Sequence, residues 1–160
     1  MKILRTPDEC FDSLENYPFD PNYIDIEHDD HTLRMHYLDE NSESEEVVLL
    51  MHGEPTWSYL YRKIIPILVS NGKRVIAPDL IGFGKSDKPA SREDYSYANH
   101  IMWVETLIKK LDLKNIIFFA QDWGGLIGLR LLTKYPDLYE GLVVSNSGLP
   151  VGSGATEGFM

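Results

Sequence analysis

A single cysteine, Cys10, leaves this 160-residue sequence unable to form an internal disulfide, and no Cys/His cluster has zinc spacing. Neither a disulfide framework nor a structural metal is indicated, and a reducing cytoplasm is the expected compartment. Basic residues are also scarce. Fifteen Lys and Arg face 25 Asp and Glu, for a formal charge of −10. Such a balance repels phosphate backbones and anionic headgroups, which argues against nucleic-acid and membrane-surface partners. No stretch approaches the roughly 18 consecutive apolar residues of a membrane span. Met1 to Cys10 lacks an apolar core followed by a small-residue cleavage site, so secretion drops out as well.

What is present reads as globular: 43% hydrophobic and 25% charged residues, with 12 glycines and 9 prolines. The length allows one domain, or an unfinished part of a larger one. Tyr23 to Glu27 and Leu33 to Leu38 alternate apolar and polar residues around Asp29-Asp30-His31, the pattern of a solvent-flanked hairpin. The pattern then changes. Val47 to Met51, Arg74 to Ala77, Asn115 to Ala120 and Gly141 to Val144 are short apolar runs, as in strands covered on both faces. Between them the spacing predicts helices over Ser58 to Ser70, Tyr97 to Leu111 and Trp123 to Lys134. A hairpin followed by β-α-β-α-β-α-β predicts an α/β fold, a mostly parallel sheet with helices on both faces. Glu40 to Glu46 is expected to be a solvated loop, and Pro150 to Met160 a loop-like tail with no closing element.

Ligands of open α/β sheets bind at the carboxyl ends of the strands, so the loops after the apolar runs carry the argument. Ala120-Gln121-Asp122-Trp123-Gly124-Gly125 turns from a predicted strand straight into a helix, with small residues two before and two after Asp122. That is the pattern of a nucleophile elbow, whose apex residue is forced into a strained backbone conformation. Here the apex is Asp. At a helix N-terminus its carboxylate is favoured in the ionised form and needs no base to activate it. Taken alone, the turn is open between a nucleophile and an ordinary N-cap. Gly124, Gly125 and Gly128 favour the nucleophile, because a cap needs no glycines in the following turns, where each costs about 1 kcal/mol relative to Ala.

His52-Gly53-Glu54-Pro55-Thr56-Trp57 follows the first parallel run. In hydrolases of this architecture a loop here supplies one oxyanion N–H, and the residue after the nucleophile supplies the other. The expected donors are therefore Glu54 N–H and Trp123 N–H. His52 is expected to be a structural hydrogen-bonding residue, and Glu54 to act mainly through its backbone, with a second acid/base carboxylate as the alternative. The third loop, Ala77 to Ser86, contains Gly82-Phe83-Gly84-Lys85-Ser86. It fails as a phosphate loop because Asp79 stands where a Walker A sequence needs Gly, and it reads as turn chemistry beside the site. A Rossmann fingerprint ending on Gly128 fails in the same way, with Trp123 in place of Gly. Trp103, Tyr59 and Tyr61 read as packing or surface aromatics.

With HGEPTW (52–57), APDLIGFGKSDKP (77–89) and AQDWGG (120–125) in this order, the sequence resembles the haloalkane dehalogenases of the α/β-hydrolase superfamily. The Asp elbow is shared with epoxide hydrolases, and Glu54 sharpens the match. The resemblance implies hydrolytic dehalogenation of a small halogenated alkane with water, with no cofactor or metal. By it, Asp122 is the catalytic nucleophile, Glu54 and Trp123 are the oxyanion donors, and the Trp123 indole is a halide-binding group in an apolar pocket. Epoxide hydrolase is the enzyme alternative, and a non-catalytic binding remnant of the hydrolase fold is the other.

All five histidines, His28, His31, His36, His52 and His100, precede Asp122. The fold orders its triad as nucleophile, acid, then His. Only Asp137, Glu140 and Glu157 follow as acids, two at a helix-to-strand junction and one in the tail. The expectation is thus an amino-terminal half of the family's fold, with about six of its eight strands and no cap domain. It would be incompetent for turnover by itself and would expose an apolar edge at Leu142 to Val144. Nothing in the residues fixes an oligomeric state.

Overall fold

A computed structural model describes residues 1–149. Its strands are β1 (Ile3–Leu4), β2 (Asn22–His28), β3 (His31–Glu40), β4 (Val47–Met51), β5 (Arg74–Pro78), β6 (Lys88–Pro89), β7 (Ile116–Gln121) and β8 (Tyr139–Ser145). The α-helices are α1 (Ile65–Ser70), α2 (Tyr97–Lys110) and α3 (Asp122–Lys134). Six strands form the main sheet in the order β2-β3-β5-β4-β7-β8, and β1 pairs separately with β6. β2-β3 and β3-β5 are antiparallel; β4-β5, β4-β7 and β7-β8 are parallel. The mostly parallel α/β architecture expected from the apolar runs is the one observed.

All five residues of β4 are buried, and their alternation shows why an unbroken apolar run was needed. Val47, Leu49 and Met51 point into a core with Trp103 and Leu107 of α2 and Ile127 and Leu131 of α3. Val48 and Leu50 point the other way, onto Ile65 of α1, Tyr61 and Val75. Each such burial contributes roughly 1.5–3 kcal/mol relative to exposure. Ser96 caps α2, its side chain accepting the Asn99 N–H at 3.0 Å, and Lys109 and Lys110 close the helix at its negative end.

Three expectations are corrected. The helix over Ser58 to Ser70 is split into a 3-10 turn, Ser58–Tyr61, and the short α1. Pro66 is the reason: it has no N–H for the preceding turn, so it can stand only at the start of a helix. The hairpin is solvent-flanked only in part, because β3 runs on into the sheet. Tyr37–Glu40 pair with Val75–Pro78, and Met35 to Leu38 are all buried, Met35 within the main core. The last apolar run is not covered on both faces either. Among the described residues β8 pairs only with β7, and Leu142 and Val143 are about half exposed, as the edge reading anticipated. The tail Pro150 to Met160, including Glu157, lies outside the described residues.

The register places the site. Met51 of β4 pairs with Ala120 of β7, so the chain leaves both strands side by side at their carboxyl ends. The loop from His52 and the turn at Asp122 are therefore neighbours across 68 residues of sequence.

Candidate active site

Asp122 sits at the junction of β7 and α3 with φ of 52°, a left-handed conformation rare for a non-glycine residue. The strain persists because strand and helix are both pinned against the core. Close approach explains the glycines. A Cβ on Gly124 would run into the Met51 and His52 carbonyls, and one on Gly125 into Ser147. Ser147 in turn donates its hydroxyl to the Asp122 carbonyl at 2.7 Å. The N-cap alternative is excluded by geometry, since Gln121 holds the cap position and no side chain caps α3.

The Asp122 carboxylate points across to the other loop. Its Oδ1 accepts the Glu54 backbone N–H at 2.9 Å, while Oδ2 accepts no hydrogen bond among the described residues. A Cβ on Gly53 would overlap the carboxylate, so only glycine lets the loop come this near. The Glu54 side chain is exposed, consistent with a backbone contribution. Trp123 is half-buried, its ring centroid 6.4 Å from that of Tyr97. As the second residue of α3, Trp123 has no acceptor for its N–H within the helix. Two shallow clefts of the described surface lie elsewhere: a small one on α2 and α3 by Glu105 and Leu131, and one of about 320 Å³ by Phe11, Tyr23, Arg34 and Lys85.

His52 is fully buried and committed at both ring nitrogens. Nε2 accepts the Leu80 N–H at 2.9 Å, which places the proton on Nδ1, and Nδ1 donates to the Gly53 carbonyl at 2.9 Å. Burial lowers its pKa, opposed by the Gly53 carbonyl and the charge on Asp79. A neutral imidazole with no free lone pair cannot serve as a base, and the structural reading of His52 holds. His100 is pushed down to about 4 by burial and, to a lesser degree, by His52. Trp103 and Tyr61 are buried packing residues, Tyr61 donating its hydroxyl to the Met51 carbonyl, whereas Tyr59 stacks on Trp57 nearer the surface.

The feature that sequence reasoning passed over is Asp79. It is fully buried, and its oxygens accept the Ser58 N–H, the Lys85 N–H and His36 Nδ1, each at 2.8 Å. Desolvation alone would raise its pKa, but the hydrogen bond and charge of His36, with help from the Lys85 N–H, outweigh it and hold the carboxyl low. Gly84, at φ of 47°, lets the Phe83-Gly84-Lys85 turn wrap the carboxylate, since a Cβ there would strike it. A lone polar residue beside two turn glycines was the available signal.

A parallel sheet whose third parallel strand turns through a strained acidic residue into a helix, facing an amide from the first strand's loop, defines the α/β class of hydrolases. The chain belongs to the α/β hydrolase fold family, whose model matches residues 46–158. It is similar to the haloalkane dehalogenase of Psychrobacter cryohalolentis K5, 56% identical over 153 residues, which cover 95% of this chain and 50% of that protein. Against the haloalkane dehalogenase of Mycolicibacterium paratuberculosis K-10 the identity is 53% over 151 residues, 94% of this chain and 50% of that one. Among solved structures, the tetrameric haloalkane dehalogenase of Paraglaciecola agarilytica NO2 superimposes with a TM-score of 0.91 and 45% identity, covering 99% of this chain and 53% of that chain. A Vigna radiata epoxide hydrolase variant gives 0.69 and 31%, covering 81% and 40%. The chain spans about half the length of the curated relatives it matches. The resemblance read from HGEPTW and DWGG is borne out.

Proposed function

We propose that Asp122 is the nucleophile of a hydrolytic dehalogenation, with Glu54 and Trp123 as its oxyanion donors. The observation that carries the reading is the 2.9 Å hydrogen bond from Glu54 N–H to Oδ1, with Oδ2 left free of partners among the described residues. Oδ2 attacks the halogen-bearing carbon in line, the carbon–halogen bond breaks, and halide departs with the electron pair. The product is an alkyl ester on Asp122 in which Oδ1 has become the carbonyl oxygen, still held by Glu54. A departing halide needs no proton, but it gains from a donor beside it, and the Trp123 indole N–H is the group on hand. Water then adds to Cγ, giving its proton to a base. Negative charge gathers on Oδ1, where the Glu54 and Trp123 N–H groups meet it, and collapse releases the alcohol and restores Asp122. The similarity to haloalkane dehalogenases supports this sequence of steps for the whole protein, with a small halogenated alkane and water as its reactants.

The base of the second step is not among these histidines. None follows Asp122 in the sequence, and His52 is spent on Leu80 and Gly53. On this reading the 160-residue chain stops at the ester. The experiment is intact-mass analysis after incubation with 1,2-dibromoethane, followed by peptide mapping. A single bromoethyl adduct on Asp122 is the expected result; an adduct on any other residue, or none, overturns the assignment. Epoxide hydrolysis is the second reading, favoured by the similarity to the Vigna radiata enzyme. An aryl epoxide that alkylates Asp122 faster than the dihaloalkane would select it.

A further inference from the structure

We propose that Asp79 is the positioning residue of the oxyanion donor, gripping the Gly53–Ser58 loop so that the Glu54 N–H stays on Asp122. Two adjacent residues of one strand end hold both ends of this loop. At its far end Asp79 Oδ1 accepts the Ser58 N–H at 2.8 Å. At its near end the Leu80 N–H fixes His52 at 2.9 Å, and His52 passes that constraint to the Gly53 carbonyl at 2.9 Å. Within the loop, the Thr56 N–H and hydroxyl both donate to the same carbonyl at 3.0 Å. The residue between these anchors that faces the nucleophile is Glu54.

Asp79 itself is immobilised from behind. Oδ2 accepts His36 Nδ1 from β3 and the Lys85 N–H from the glycine turn, and its own carbonyl accepts the Ser86 hydroxyl at 2.6 Å. Both members of the His36–Asp79 pair are shielded from solvent, so water cannot replace a lost partner. An apolar residue would fill such a site at lower desolvation cost. What the carboxylate supplies instead is direction: three donors from three separate segments converge on two oxygens, and one of those segments carries the oxyanion amide. The inference rests on the reading of Glu54 as the donor, and its test reads the loop rather than bromide, so either can fail without the other.

The test is amide hydrogen exchange on the folded protein, comparing Ser58→Pro with Ser58→Ala. Proline suits the first residue of the 3-10 turn, and Trp57 before it is already extended, at φ −156° and ψ −174°. It deletes the donor to Asp79 while leaving His36 and Lys85 in place; alanine removes only the hydroxyl that meets Tyr17 at 2.7 Å. The expected result is at least about tenfold faster exchange at Glu54 in Ser58→Pro, with Ser58→Ala and the β4 amide of Leu49 unchanged. A purely structural role would speed Leu49 in step with Glu54. That outcome, or an unaltered Glu54 rate, overturns the proposal. Should Ser58→Pro not fold, the unmodified protein decides: the Glu54 and Ser58 amides must open at a common rate, and a Ser58 that stays protected while Glu54 exchanges on its own refutes the coupling.

Discussion

Gly128 of α3 lies directly against Phe118 of β7: a Cβ added to the glycine would collide with the Cζ end of the aromatic ring. The helix therefore rides closer to the sheet than any residue with a side chain permits. This contact falls six residues after Asp122, in the second turn of α3. Gly128→Ala should lower stability by about 1–3 kcal/mol, because overpacking outweighs the roughly 1 kcal/mol that alanine gains in a helix interior. Urea unfolding measures it. A variant as stable as the parent would show that Phe118 can swing aside and that the approach is not tight.

Gly53→Ala tests the same principle at the site. The new methyl would occupy the space of the Asp122 carboxylate, pushing it off the Glu54 N–H and away from its approach line. Displacements of about 1 Å cost on the order of 100-fold when a reacting group must be held in line. Ester formation on Asp122 with 1,2-dibromoethane, followed by mass spectrometry, should slow by about that factor. Unchanged kinetics would mean that the carboxylate reacts from another rotamer.

Bromide counting separates the two chemical steps. With no histidine after Asp122 and His52 fully engaged, the 160-residue chain should release no more than one equivalent of bromide per molecule. Asp122→Asn should release none, since the amide is no nucleophile. Many equivalents from the unmodified chain would mean that a histidine of the amino-terminal segment, His31 or His100 being the candidates not fully buried, serves as base.

Most of this arrangement was written in local signals. Five consecutive apolar residues announced a strand with two buried faces, and Asp122 between small neighbours announced the elbow. Backbone strain at an elbow and the need for glycine are properties of a few adjacent residues, so they survive in the sequence. The Asp79 network does not, because His36, Ser58 and Lys85 converge on it from separate segments and none carries a local mark. The split of the helix after Ser58 was legible in Pro66. The depth of β3 was not: its alternation suits a half-exposed hairpin, yet Tyr37 and Leu38 are covered where β3 pairs with β5, Met35 joins the main core and His36 meets Ser86 and Asp79.

Acid should loosen the contact between α2 and α3. Glu105 of α2 is the hub that ties this helix to α3, accepting bonds from Lys109, from Lys134 at 2.7 Å and from the Tyr135 hydroxyl. Its partial burial would raise its pKa, but the three donors outweigh that and bring it down to about 2. A carboxyl depressed in the folded state stabilises the fold fully above its unfolded value, near 4.5, and loses that contribution as pH falls toward 2. Both lysines are largely exposed, so solvent screening limits the contribution to about 1 kcal/mol. Glu105→Gln should therefore be less stable than the parent by about that amount at pH 7, and the two curves should converge between pH 4.5 and 2. Urea titrations at fixed pH values check it. A difference that persists undiminished at pH 2 would assign the loss to packing of the amide and not to the charge, and the clamp between α2 and α3 would have to be sought in Leu107 and Leu131 instead.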